Sequence, residues 1–183
     1  LGIIDPGADA NRVRYDSPSF GGLSVHGDLE NDGGGSVGAK WSGTMGGLSV
    51  KAGIGMENDG AGSEMTGFSV AAKHASGLHA ALNYGEIDTD DSDVDPEWQR
   101  LVVGYEASMN SLGKTNISVF LSEKDDEAVK GNEGEMVSVG IKQSLDSIGG
   151  NLILQYDNYS FENAAANDMS DIDALVFEMQ FNF

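Results

Sequence analysis

The sequence predicts an all-β protein, a transmembrane antiparallel β-barrel of the up-and-down kind. Three observations lead there. Apolar and polar residues alternate with period two along almost the whole chain, which marks strands whose two faces meet different surroundings. Short glycine-rich connections alternate with generally longer acidic ones, as they do when one rim of a barrel carries tight turns and the other carries solvated loops. The face opposite the apolar one bears charge on most strands, which suits a water-filled lumen and not a packed core.

Taken in order, the pattern gives eleven strands, near residues 11–16, 23–30, 37–41, 48–55, 68–74, 78–85, 100–106, 115–122, 136–143, 152–159 and 174–183. The tight turns are 17–22, 42–47, 75–77 and 144–150; the long acidic loops are 86–97, 123–135 and 161–173. One face collects Leu23, Val25 and Leu29, then Leu48, Val50 and Ile54, and continues through Leu101, Val103 and Tyr105 to Val137, Val139 and Ile141. This is the expected lipid-facing band. Tyr15, Trp41, Tyr105 and Phe183 fall near the short-turn rim on that face, as an interfacial aromatic girdle does.

Composition removes other classes. Thirty acidic against ten basic residues give a formal charge of -20, which repels a phosphate backbone, so nucleic acid is excluded as a partner. The absence of cysteine excludes thiol catalysis, thiolate metal sites and disulfides. No apolar run approaches the roughly 18 residues of a membrane helix. The start, Leu1-Gly2-Ile3-Ile4-Asp5-Pro6, has neither an initiating Met nor the basic and apolar regions of a signal peptide. The expectation is that this chain is part of something longer.

Two segments carry a family resemblance. The last strand, Leu175-Val176-Phe177-Glu178-Met179-Gln180-Phe181-Asn182-Phe183, sets a large apolar residue at every second position and ends on an aromatic. It resembles the C-terminal signal of outer-membrane proteins that the barrel-assembly machinery recognises, which assigns Phe177, Met179, Phe181 and Phe183 to that signal. The segment Asn11-Arg12-Val13-Arg14-Tyr15-Asp16-Ser17-Pro18-Ser19-Phe20-Gly21-Gly22-Leu23 resembles the stretch of general bacterial trimeric porins that follows the inward-folded constriction loop. The resemblance implies a sixteen-stranded porin barrel whose last eleven strands lie here, with 1–10 the end of the constriction loop and 11–183 the strands, periplasmic turns and extracellular loops. It also implies passive diffusion of ions and small hydrophilic solutes, a homotrimer, and an outer-membrane location among lipids and lipopolysaccharide.

Candidate pore-lining residues follow from the alternation. Arg12 and Arg14 share one strand face and are expected to set a transverse field at the constriction. Lys40, Lys51 and Lys73 extend the basic wall, and Asp28 and Glu106 point the same way. The inward carboxylates and acidic loops together suggest a mild cation preference. The acidic stretch 88–97, from Asp88 to Glu97, lacks the glycine and terminal-Glu spacing of an EF-hand and reads as a solvated loop able at most to gather divalent cations loosely. His26, His74 and His79 are scattered over three strands and no Gly-x-Ser-x-Gly elbow is present, so no catalytic residue, metal site or cofactor is expected. The rival reading is a secreted soluble acidic β-sandwich or calcium-dependent adhesin, which requires an apolar core face between two sheets.

Overall fold

The computed structural model describes residues 11–31, 33–90, 92–126, 129–165 and 167–181. The expected constriction-loop segment 1–10 and Phe183 lie outside these residues. Among the described residues the strands are β1 (Arg12–Asp16), β2 (Leu23–Glu30), β3 (Gly35–Met45), β4 (Leu48–Asn58), β5 (Ser63–His74), β6 (Leu78–Thr89), β7 (Glu97–Asn110), β8 (Gly113–Asp125), β9 (Glu133–Leu145), β10 (Gly150–Asn163), the two-residue β11 (Asn167–Asp168) and β12 (Ile172–Phe181). They form one 12-stranded sheet in which every long strand pairs antiparallel with its sequence neighbours, β12 pairing with β10. All eleven sequence-derived strands are present.

The strands run longer than the alternation indicates. β6 reaches Thr89, β7 starts at Glu97, β8 reaches Asp125 and β9 starts at Glu133, so parts of the stretches expected as loops continue the ladder. The reason is physical. Beyond the apolar band both faces of a strand are polar, and period-two hydrophobicity disappears while backbone pairing goes on. The turn expected at 42–47 likewise shortens, because β3 continues to Met45 and only Gly46 and Gly47 remain, at φ 58° and 81°. Positive φ at both central residues is the two-residue hairpin turn whose twist matches the strands. Gly21 and Gly22, at φ 61° and 86°, repeat the device.

The register sorts the side chains into two faces. Val25 lies opposite Ala39, Ala39 opposite Ile54, Ile54 opposite Phe68, and Phe68 opposite Tyr84, carrying one apolar face across five strands. Among the described residues no hydrophobic side chain is buried; the buried side chains are Asp28, Thr115, Ser118, Ser138 and Asp157, all polar. A soluble domain buries its apolar face against a second layer, and a contiguous apolar face of this extent is a contact surface for something other than water. The sandwich reading fails on this point, since among the described residues no second sheet covers the apolar face.

Above the apolar band the same face turns acidic. Glu64 stands opposite Asp88, Glu86 opposite Glu97, Asp125 opposite Glu133, and Glu123 opposite Glu135. In the loop between β4 and β5, the N–H groups of Ser63 and Ala61 donate to the Asp59 carboxylate at 3.0 and 2.7 Å, and these backbone donors hold it below the usual carboxylate range.

Candidate functional site

The other face is the candidate site. Arg12, Arg14 and Asp28 sit opposite Glu30, Asp28 and Ser36 respectively, and Lys40, Lys51 and Lys73 occupy β3, β4 and β5 opposite Ser24, Ser42 and Ser49. Glu106 faces Asn116 on β8. The expected pore-lining residues therefore share one face. Phe177, Met179 and Phe181 lie on the opposite, apolar face of β12, beside Leu154, Leu152 and Gly150.

The polar face is internally paired around Arg14 and around Glu106, among other places. Arg14 donates to Asp16 at 2.8 and 2.9 Å and reaches Asp28 at 3.4 Å. Asp28 also accepts the Ser36 N–H at 3.1 Å and the Ser36 hydroxyl at 2.7 Å. Arg14 is thus engaged by carboxylates of its own wall, in contrast to an arginine held free to face a loop. At the other end, Glu106 accepts Lys73 at 2.7 Å and Lys114 at 3.0 Å. Asp157 is 3% exposed and accepts the Ser138 hydroxyl and the Gln155 amide. Among the described residues Lys40, Lys51 and Arg100 form no ion pair.

Several residues on this face escape sequence reading. Lys114 lies at the start of β8, beside a turn, where alternation has barely begun. Trp98 stands before the expected start of its strand, and only the extension of β7 to Glu97 places it opposite Gly85 on the polar face. Phe120 and Tyr159 also lie there, opposite Ser138 and Met136. The histidines do not converge: His74 contacts Ser76, and His79 lies beside Asn116 and Ser118 at 3.3 and 3.4 Å. No group of three or more metal-ligating His, Cys, Asp or Glu residues forms among the described residues.

A sheet with an apolar outside and a charged, self-paired other face is what a water-filled membrane barrel presents, and the comparison with known families decides which one. The sequence profile of the Gram-negative porins matches residues 2–183. The chain belongs to the Gram-negative porin family. It is therefore part of an outer-membrane β-barrel protein. Solved porin structures share its fold. OmpT of Vibrio cholerae, in-vitro folded in its trimer form, superposes at a TM-score of 0.60 with 12% identity, over 96% of this chain and 65% of that one. An anion-selective porin from Comamonas acidovorans gives 0.58 and 15%, over 93% and 59%. This chain thus spans less than two thirds of the length of these porins. No curated protein sequence matches it.

One packing detail of the polar face bears on the expectation that this face lines a pore. A Cβ on Gly85 would overlap the Trp98 indole, and a Cβ on Gly38 would overlap the His26 imidazole. Glycine under a cross-strand aromatic is a recognised way of seating a ring on a sheet. The rings thereby rest against the glycine backbone of the neighbouring strand. Gly85→Ala is expected to lift the Trp98 ring and lower single-channel conductance while the barrel stays folded, and Trp98→Ala on that background is expected to restore it. Unchanged conductance in Gly85→Ala would show that the indole does not border the path.

Proposed function

We propose that the protein containing this chain forms a water-filled channel for passive diffusion of ions and small hydrophilic solutes. The carrying observation is the inverted burial: apolar side chains cover one face of a single sheet and the side chains shielded from solvent are polar. Such a wall replaces hydrocarbon with water and fixed charge, and cross-section and charge decide what passes. Arg12, Arg14, Lys40, Lys51, Lys73, Asp28 and Glu106 are the proposed pore lining. β1 and β12 lie at opposite edges of the sheet and both run toward the short-turn rim. Antiparallel closure then needs an odd number of intervening strands, and five would complete a sixteen-stranded barrel.

The further assignments are proposals of the same reading. A homotrimer is supported by the trimer form of the OmpT neighbour. Phe177, Met179, Phe181 and Phe183 serve as the assembly signal, on the strength of their alternation. The acidic belt at the long-loop rim and the stretch 88–97 meet lipopolysaccharide through loosely held divalent counter-ions. The test of the central claim is solute flux. Liposomes carrying the native full-length protein are expected to swell in small sugars at rates that fall steeply with sugar size, and planar bilayers to show stepwise openings in groups of three. Liposomes that stay impermeable although the folded protein is inserted would remove the channel reading.

A further inference from the structure

We propose that the lumen passes small anions in preference to cations, along a track of Lys40, Lys51 and Arg100, against the sign of the chain's net charge. The proposal rests on the channel reading and gives that channel a polarity. It also reverses the cation preference that composition suggests, and the reason lies in how the fold distributes charge.

Of the chain's ten cations, all but Lys130 are on strands; the register places eight of these nine on the polar face, and the contact of Lys114 with Glu106 places the ninth there. The carboxylates divide differently. Many stand in loops or in the acidic belt on the outer face, such as Glu86, Glu97, Asp125 and Glu133. A net charge of -20 therefore describes the rim and the outside far more than the wall that a permeating ion meets. Screening at physiological salt acts over about 8 Å, so charges beyond the wall or at the mouth contribute little at mid-lumen.

Three consecutive cross-strand rows make the mid-lumen argument. The row containing Lys40 and Arg100 runs from β2 through β12 with no carboxylate among its members. The next row holds Lys51 and a single carboxylate, Asp157. The third holds Lys73 and no carboxylate. Asp157 is buried and its charge is met by two donors. The carboxylate nearest Lys73, Glu106, is shared with Lys114, so that cluster keeps one positive charge in excess.

Lys40, Lys51 and Arg100 are exposed and form no ion pair among the described residues, and Asp16, which acts on Lys40 from a distance, is itself bound by Arg14. Lys40 and Arg100 are separated by four strand spacings, about 19 Å along the wall, with Gly53, Ser69 and Asn83 between them in the row. These intervening residues are small and uncharged, so no neighbouring side chain of the row neutralises either cation. Such fixed charges raise the local concentration of mobile anions and lower their transfer cost relative to cations. The preference is for compact solutes bearing carboxylate, phosphate or halide charge.

The test is the reversal potential of the native full-length protein in a planar bilayer under a potassium chloride gradient. The wild type is expected to show a chloride-to-potassium permeability ratio above one, falling several-fold in Lys40→Gln/Arg100→Gln and unchanged in Glu135→Gln, an outer-face carboxylate. A cation-selective wild type, or a double variant with an unmoved ratio, would overturn the anion track and leave the channel standing. A silent bilayer from inserted, folded protein would overturn both. If the double variant does not fold, the salt dependence of the wild type decides: fixed charge predicts an anion preference that shrinks toward the bulk mobility ratio as salt rises, and a ratio that does not respond to salt overturns the proposal.

Discussion

Val103→Arg is expected to destabilise the barrel by about 2–4 kcal/mol, the cost of a cation on the lipid face near the bilayer midplane. Val102→Arg is expected to cost about 1 kcal/mol or less. The two residues are adjacent and chemically identical, and both sit inside β7. They differ only in face. Val103 is 50% exposed on the apolar side and lies opposite Ala80 and Val119, within the hydrocarbon band. Val102 lies opposite Ala81 and Phe120 on the lumenal side, in the row of Lys51, where a guanidinium reaches water. Reversible denaturant unfolding in lipid vesicles, followed by tryptophan fluorescence, gives both values. Equal costs would mean that both faces see the same solvent, and the membrane-spanning assignment of this sheet would fall.

This contrast also shows what the sequence makes legible. The face of each residue within the apolar band follows from counting in twos, and Val103 and Lys40 are placed correctly by that alone. The count fails where its physical cause ends. At Glu86, Glu97 and Glu123 both faces are wet, so strand and loop have the same composition and only the backbone ladder distinguishes them. Trp98 was beyond reach for this reason. Ion pairing is a separate difficulty. Arg14 meets Asp16 along its own strand, a contact that spacing makes foreseeable, but it meets Asp28 only because the intervening turn sets the β1–β2 register. Register depends on turn geometry, which a one-residue change in loop length alters. The distribution of charge is the least legible feature, since net charge sums over rim, outer face and wall alike.

The Arg14 network yields the second large effect, and it separates proximity from burial. Asp16 binds Arg14 more closely, through two contacts of 2.8 and 2.9 Å, yet its side chain is 61% exposed. Solvent competes for such a pair, and surface ion pairs contribute little, so Asp16→Ala is expected to leave the unfolding midpoint unmoved. Asp28 is farther from Arg14, at 3.4 Å, but its side chain is fully shielded. It also accepts both the N–H and the hydroxyl of Ser36, and so ties β1, β2 and β3 together near the long-loop rim. Asp28→Ala strands those shielded donors, a loss of about 2–4 kcal/mol. It also frees the Arg14 guanidinium from one carboxylate on the lumenal wall, so the same variant is expected to strengthen anion preference as it weakens the fold. Parallel denaturant titrations of the two variants decide the matter: an Asp16→Ala loss equal to or larger than that of Asp28→Ala would mean that contact distance, and not removal from water, governs this wall.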